Sequence, residues 1–416
     1  MKFNPWTVAL LGAGIVSAPA VIQAEEKPNF VQTALASTTL SGYVDTSVQW
    51  NWGSGNEFLP PYAFGGSGKA DGFNLNVVEL RLDKPVEAAD VWGAGYRVDL
   101  LAGPDANAFN SQSSGLGTGA DFAVKQAYIA LHAPIGNGLD FKLGVWDTII
   151  GYEVFESPNN PNFTRSYGYS LEPTTHTGLL GTYQVCDTLS ISAGIANTFG
   201  PTINGRAFAP NPAGQTPPNT QAESWKTYMA SVTLTAPTNS GFLAGSTLSA
   251  CVINGFNQGL FDQKTFVDSG GTIAHFGANE THYYVGGTIN TPVSGLKFGA
   301  AFDDVEVHNA HGEIWSVGGY AAFQATEKLS LYGRAEYVRQ RGDFVLLAPM
   351  PEKTMELTAT LQYDLWKNVL SRLELRWDRS LSGEKVWGPI TENEAGGPTG
   401  NLRNEFVLIA NVVYKF

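Results

Sequence analysis

The residues best placed to do chemistry are charged side chains on one long loop. The segment 148–174 carries three carboxylates and one guanidinium, at Glu153, Glu156, Glu172 and Arg165. It is the longest connection between the predicted elements and is rich in aromatic residues, which argues against disorder. Charges gathered on an ordered loop can line a narrow passage and select ions and polar solutes. We therefore expect this loop to form a constriction.

A second set of charges lies on predicted strands, at alternate positions that share the polar face. These positions are Arg81, Arg97, Arg334, Arg372 and Arg376. Facing a carboxylate loop, they would create a transverse field across a pore. Acidic residues such as Glu79 and Asp99 stand beside the same arginines. The alternative is therefore a wall network in which the opposite charges neutralise one another.

The sequence offers no convincing catalytic or metal-binding constellation. Nucleophilic catalysis needs a nucleophile, a base and an orienting group at one level. Ser170 and His176 are close in sequence, but Pro173 separates them and no third group is evident. The six histidines are scattered without metal-ligand spacing. We predict no catalytic residue, no metal and no cofactor, and the chain is not expected to be an enzyme.

Strands must position these charges, because apolar and polar residues alternate with period two from residue 39 onward. In the first segment Leu40, Val44 and Val48 share one face, and Tyr43 and Asp45 share the other. Sixteen such segments lie near residues 39–52, 73–83, 91–103, 121–132, 139–147, 175–185, 188–198, 224–235, 243–254, 281–290, 296–306, 312–324, 329–339, 353–364, 369–378 and 403–416.

The connections between these segments alternate in length. Short ones such as 186–187 and 325–328 alternate with long ones such as 148–174 and 199–223, with one short exception at 307–311. Short periplasmic turns and long extracellular loops are typical of outer-membrane barrels. The predicted fold is all-β: a transmembrane antiparallel up-and-down β-barrel of about 16 strands.

The last strand carries an apolar face from Phe406 to Phe416, with an aromatic residue near each end. Such a strand suits lipid between two aromatic girdles. Its ending, in which Tyr414 is followed two residues later by Phe416, resembles the C-terminal signal that the barrel-assembly machinery recognises. We expect that machinery and outer-membrane lipids to be partners.

The remaining features fit export to a bacterial outer membrane. Residues 1–24 read as a signal peptide with Lys2 at its start, and residues 25–38 read as a short N-terminal linker to a barrel at 39–416. No later apolar run is long enough for a membrane-spanning helix. Removing Lys2 with the signal changes the net charge from −13 to −14. So acidic a chain is not expected to bind nucleic acid.

The loop also carries a family resemblance. Gly151-Tyr152-Glu153, the run SPNNPNFTRS at 157–166 and the run EPTTHTG at 172–178 resemble the β-barrel porin-2 (OmpL-like) family. The resemblance covers essentially the whole mature chain, but only these runs are specific. It implies an outer-membrane porin-like channel and supplies no established functional residues.

Sixteen strands leave a water-filled channel, whereas eight leave an interior that side chains can fill. We therefore predict a porin-like channel for passive diffusion of ions and small hydrophilic solutes, weakly cation-preferring and constricted by loop 148–174. Alternatives are a specific channel for sugars or other polar nutrients, and a closed barrel acting as an adhesin or an outer-membrane enzyme. A homo-trimer is an open possibility for the oligomeric state.

Overall fold

Sixteen antiparallel strands close into one barrel in the computed structural model of the chain. Each strand pairs with its neighbours in barrel order, and the first strand pairs with the last. The structure describes residues 37–53, 55–86, 91–109, 121–205, 225–256, 266–267, 273–274, 279–307, 312–342, 347–392 and 398–416. The predicted signal peptide at 1–24, and all but the last two residues of the linker, lie outside these ranges.

Strands are numbered in chain order, and those of the barrel match the predicted segments to within a few residues. They are β1 Thr39–Asn51, β2 Gly72–Lys84, β3 Gly93–Ala102, β4 Phe122–Ala133, β5 Leu139–Asp147, β6 Thr175–Cys186, β7 Leu189–Ala196, β8 Thr227–Thr235, β9 Thr247–Phe256, β12 Asn279–Asn290, β13 Leu296–Val307, β14 Gly312–Gln324, β15 Leu329–Arg341, β16 Lys353–Trp366, β17 Val369–Ser380 and β20 Asn404–Lys415. The predicted barrel and its strand number are therefore confirmed.

Two small hairpins outside the barrel were not predicted. They are formed by β10 Phe266–Val267 with β11 Ile273–Ala274, and by β18 Thr391–Glu392 with β19 Pro398–Thr399. The α-helical content of the described residues is one short helix, α1, Tyr167–Leu171, which lies in the loop 148–174. Within the described part of the chain, no helix is long and apolar enough to cross a membrane.

The period-two pattern separates an apolar outer face from a polar interior. On the outside, Trp50 and Phe73 keep 60% and 90% of their surface exposed. On the inside, Asp45 and Asn76 are buried and hydrogen-bonded to each other. Outward apolar and inward polar side chains are the arrangement that a barrel in a lipid bilayer requires.

Loops provide much of the apolar packing inside the barrel. Phe155, from the loop 148–174, packs edge-on against Phe109 and against Phe64. Phe64 belongs to the connection between β1 and β2, and Phe109 ends the short helical turn after β3. Three extracellular connections therefore meet inside the barrel, and two of them fix the third.

The barrel closes between β1 and β20, where the chain ends. The backbone N–H of Gly42 donates to the carbonyl of Phe416, and the N–H of Phe416 donates back, each over 3.0 Å. A Cβ atom added to Gly42 would lie 2.0 Å from the carbonyl oxygen of Glu79 and 2.9 Å from the ring of Phe416. The seam therefore requires a residue without a side chain at position 42.

We expect Gly42→Val to weaken closure, because the strands must separate to admit the new side chain. The expected loss is about 1–3 kcal/mol of unfolding free energy. Gly319→Val is the matched control, since Gly319 also faces outward from a strand but has no atom within 4 Å of its Cβ position. Urea unfolding in lipid vesicles, followed by tryptophan fluorescence, measures both variants. Equal midpoints would contradict the steric account.

Candidate functional site

The loop 148–174, called here the inner loop, lies against the inward face of the barrel wall. Its central residues are buried, including Glu153, Phe155, Asn162, Arg165 and Tyr167. Backbone and side-chain groups of the loop bond to residues of β15, β16 and β17. The loop therefore occupies part of the lumen rather than the space outside the barrel.

Arg334 on β15 is the most connected wall residue. Its Nη1 donates to Oε1 of Glu153 over 2.8 Å and to the carbonyl of Thr164 over 2.7 Å. Its Nε donates to Glu356 of the wall over 3.1 Å. One guanidinium thus joins a loop carboxylate, the loop backbone and a wall carboxylate. All three carboxylate and guanidinium side chains are fully buried.

Two glutamates of the barrel wall accept hydrogen bonds from backbone N–H groups of the inner loop. Glu374 accepts from the N–H groups of Phe163 and Thr164 over 2.5 and 2.8 Å. Glu336 accepts from Tyr167 and Gly168 over 2.6 and 2.7 Å, at the first turn of α1. Charged acceptors form strong hydrogen bonds with buried N–H groups that would otherwise have no partner.

Arg372 and Arg376 on β17 bind backbone carbonyls of the loop. Arg372 Nη2 donates to the carbonyl of Ser157 over 2.6 Å, and Arg376 Nη1 donates to the carbonyl of Arg165 over 2.7 Å. Arg376 also pairs with Asp378, and the ring of Tyr62 lies 3.8 Å from its guanidinium carbon. Both guanidinium groups are therefore hydrogen-bonded to their neighbours, and both side chains are buried.

Arg165 itself holds the loop together. Its guanidinium donates to the carbonyls of Val154, Phe155 and Phe163 over 3.1, 2.6 and 2.6 Å. Its side chain is enclosed by the loop, beside the rings of Phe64 and Tyr169. Arg165 thus acts as an internal brace between two stretches of the loop.

Glu156 fixes the other side of the loop. Its Oε1 lies 2.9 Å from Lys125 Nζ, 3.0 Å from Arg81 Nη2 and 3.9 Å from Arg97 Nη2. Desolvation alone would raise the pKa of this carboxyl, but the cations Lys125, Arg81 and Arg97 outweigh it and hold the pKa well below its usual range. The carboxylate therefore stays ionised, and its pairs persist as pH falls until strongly acid conditions.

Glu172, at the end of the loop, has the opposite surroundings. Desolvation raises its pKa well above the usual range, and the neighbouring carboxylates of Asp303, Glu153 and Glu336 add to that rise. Asp303 lies on β13 and pairs with His282 of the adjacent strand β12 over 2.9 Å. Four carboxyl groups therefore gather here, and a proton on Glu172 reduces their mutual repulsion.

A cavity of about 320 Å³ remains beside the loop. On one side it is bounded by Glu153, Glu156 and Glu172 of the loop and by Arg81 and Arg97 of the wall. Strands β6, β7 and β8 contribute uncharged polar groups, namely Thr182, Gln184, Ser192 and Ser231. Apolar side chains, among them Phe109, Ile150, Phe155 and Leu180, complete the lining, which is therefore mixed. The cavity lies off-centre, because the loop occupies the side of β15 to β17.

The structure brings the predicted site residues together in two groups. Arg334, Arg372 and Arg376 clamp the loop, and Arg81 and Arg97 hold it at Glu156. Arg81, Arg97, Arg334 and Arg376 each pair with a wall carboxylate as well as lying against the loop. The charges therefore neutralise one another locally. Tyr414 and Phe416 lie at the seam and at the end of β20, with about half and over a third of their surface exposed.

Sequence reasoning did not predict which wall residues hold the loop. Lys125 was not singled out, and Glu336 and Glu374 were expected only to pair with the arginines beside them. Lys125 on β4, Glu336 and Glu374 have the same importance as the predicted arginines. The period-two alternation predicts that these side chains point inward, but it does not predict which residues they bond to. The inward aromatic residues Trp146, Tyr284 and Tyr320 form one cluster, onto which loop residues such as Tyr152 pack. Trp146, Tyr284 and Tyr320 are buried and do not line the cavity.

Comparison with known proteins places this geometry in a family context. The sequence profile of the family described as "Putative beta-barrel porin-2, OmpL-like" matches residues 37–416. No curated protein sequence matches the chain significantly.

Solved structures of outer-membrane barrels share the fold at low sequence identity. OprB of Pseudomonas putida is 11% identical, with 91% of this chain and 94% of that chain covered and a TM-score of 0.57. An anion-selective porin from Comamonas acidovorans is 12% identical, with 91% and 99% covered and a TM-score of 0.54. The trimer form of OmpT, an outer-membrane protein of Vibrio cholerae, is 14% identical, with 91% and 99% covered and a TM-score of 0.52.

We expect Arg334→Met to destabilise the folded barrel strongly. Removing one partner leaves Glu153 and Glu356 buried without compensation, at a cost of about 3–5 kcal/mol. Arg341→Met is the matched control, because Arg341 is half-exposed and pairs with Glu313 at the surface. Its loss should cost less than about 1 kcal/mol. Urea unfolding in vesicles compares the two, and similar losses would contradict the role assigned to Arg334.

We expect the packing of the loop end to weaken as pH rises. A carboxyl whose folded pKa is raised contributes stability below its ordinary pKa and loses it as pH passes the folded value. Glu172→Gln should therefore flatten the decline of thermal stability toward alkaline pH. Glu352→Gln, at a half-exposed position beside Arg339, should keep the wild-type decline. Identical profiles for all three proteins would refute the prediction.

Proposed function

The chain belongs to the β-barrel porin-2 (OmpL-like) family and forms an outer-membrane porin-like barrel, and we propose that it is a channel for passive diffusion. The solutes are ions and small hydrophilic molecules. The single observation that carries the proposal is the cavity beside the inner loop, since polar and charged groups line it from several strands. Such a wall suits water and dissolved solutes, whereas an apolar plug would exclude them.

The inner loop is the proposed constriction. Wall contacts from β2 to β4 and from β15 to β17 hold it on two sides, so its position is set before any solute arrives. Each buried charge of the loop has a partner, which makes displacement costly. The proposed passage is therefore the space that the loop leaves open.

Weak cation preference is the proposed ion selectivity. It is supported by the acidic balance of the chain, whose formal net charge is −13. It should be small, because Glu153 and Glu156 are buried in ion pairs with Arg334 and with Lys125. Selectivity then depends on the few charges that retain access to the cavity.

The remaining proposals follow from the family and the fold. We propose no catalytic role, since the family is described as one of porins and a porin is among the structural neighbours. We propose a homo-trimer, because the trimer form of OmpT is among the structural neighbours. Outer-membrane lipids and the barrel-assembly machinery are the proposed partners, with Tyr414 and Phe416 at the C-terminal end of the last strand as the proposed assembly signal.

Planar-bilayer recording of the mature chain tests the channel. We expect discrete, long-lived current steps in potassium chloride, and a reversal potential in a salt gradient that indicates slight cation preference. Deleting residues 153–170 should raise the conductance, because the deletion removes the proposed constriction. Heat-modifiable migration in gels checks that each protein is folded. A folded barrel that stays silent would contradict the channel, and unchanged conductance after the deletion would contradict the constriction.

A further inference from the structure

One charged group on the cavity wall forms no ion pair with the described residues. Lys142, on β5, lines the cavity. Its ammonium lies 5.1 Å from the centroid of the Tyr128 ring, and within the described part of the chain no carboxylate forms an ion pair with it. Lys125, one strand away, contrasts with it, because Lys125 is bonded to both Asp147 and Glu156.

Lys142 belongs to a row of polar groups across four adjacent strands. Arg97 on β3 stands directly opposite Tyr128 on β4, and the Tyr128 ring lies under the ammonium of Lys142 on β5. Arg81, on β2, joins the same row because its Nε shares Asp99 Oδ1 with the Nε of Arg97. Three cations and a phenol thus lie on one stretch of wall.

The ion pairs of this row present their positive side to the cavity. The side chains of Arg81 and Arg97 keep 25% and 23% of their surface exposed, whereas their partners Glu79 and Asp99 keep 2% and 0%. The carboxylates lie behind the guanidinium groups and are shielded from solutes. A solute in the cavity therefore meets N–H donors with positive charge, although the pairs are formally neutral.

Five carboxyl groups also border the cavity. Glu153 and Glu156 of the inner loop are paired with Arg334 and with Lys125, and Glu172 lies among other carboxyl groups. The other two are engaged elsewhere. Asp140 lies 2.7 Å from Nδ1 of His132, and Asp147 lies 2.5 Å from Nζ of Lys125. Both retain some exposure and should limit how many anions gather in the cavity. Lys142 remains the cation with the least compensated charge among the lining residues.

We propose that Lys142, with Arg97 and Arg81, forms a binding point for the oxyanion group of a small solute, either a carboxylate or a phosphate. Ammonium and guanidinium groups are the natural donors for both, through charge-assisted hydrogen bonds. The uncharged hydroxyl and amide groups of Thr182, Gln184 and Ser192 line the same cavity and can accept hydrogen bonds from the rest of the solute or donate to it. The passage thereby favours small organic anions over neutral solutes of equal size.

This inference rests on the proposed channel function, because solutes must reach the cavity. It does not require bulk anion selectivity, since a single binding point acts on solutes that dock there and the net charge acts on all ions. The two properties are separable by experiment: a salt gradient measures the ion preference, and current block measures docking.

The test uses the mature full-length barrel in planar bilayers in potassium chloride. Inorganic phosphate or succinate is added, and the concentration that halves the current is recorded. We expect concentration-dependent, reversible block by one or both probes. Lys142→Gln should raise the half-blocking concentration about tenfold, the effect expected from losing one hydrogen bond to a charged group. Lys142→Arg should restore most of the effect.

Lys297→Gln is the matched control. Lys297 shares the inward phase of β13 with the buried Asp303 but lies outside the lining of the cavity, so its removal changes the net charge equally. It should leave the half-blocking concentration unchanged. Absence of block by both probes, an unchanged value for Lys142→Gln, or an equal rise for Lys297→Gln would each overturn the site.

A silent channel does not leave the site undecided. Equilibrium dialysis of radiolabelled succinate and phosphate against the folded barrel in detergent measures binding without current. Binding that Lys142→Gln weakens and Lys297→Gln preserves would support the site even if the channel proposal failed. Absence of binding to a conducting wild-type barrel would overturn the site and leave the channel proposal intact.

Discussion

The central physical constraint is the cost of placing an ordered loop, with its charges and backbone polar groups, inside the barrel away from water. Each such group costs free energy unless a partner satisfies it. The wall supplies these partners in complementary form: Glu336 and Glu374 accept from loop N–H groups, while Arg334, Arg372 and Arg376 donate to loop oxygens. The loop and the wall therefore specify each other, and the position of the passage follows from that match.

This match changes how the charges can act on solutes. A row of arginines facing a row of free carboxylates would produce a strong field across the passage. Here Glu153 and Glu156 are in contact with Arg334 and Lys125, so most of that field is cancelled within a few ångströms. What remains is local: guanidinium edges in front of buried carboxylates, and the ammonium of Lys142, which forms no ion pair with the described residues. Selectivity in such a passage depends on single groups rather than on the sum of wall charges.

The sequence predicted the barrel well because a strand that separates lipid from water must alternate its side chains, and that alternation is readable residue by residue. The same alternation predicted that Arg334 and Arg376 point inward. The three glutamates of the inner loop indicated that this loop is functional. The hydrogen bonds between the wall and the inner loop were harder to predict. Glu374 and Glu336 bind backbone N–H groups, which every residue carries, so no sequence pattern identifies their partners. The contact of Tyr62 with Arg376 joins two loops distant in sequence, and period-two alternation carries no information about it.

The most direct test of the central claim is a disulfide between the inner loop and the wall. Asn162 and Thr360 are in contact, with Nδ2 donating to Oγ1 over 2.7 Å. In a background with Cys186 and Cys251 replaced by serine, Asn162→Cys with Thr360→Cys should cross-link on mild oxidation. We expect a cross-link that leaves single-channel conductance unchanged, because the loop already occupies this position. Failure to cross-link, or a fall in conductance on oxidation, would show that the loop normally lies elsewhere and would contradict the account.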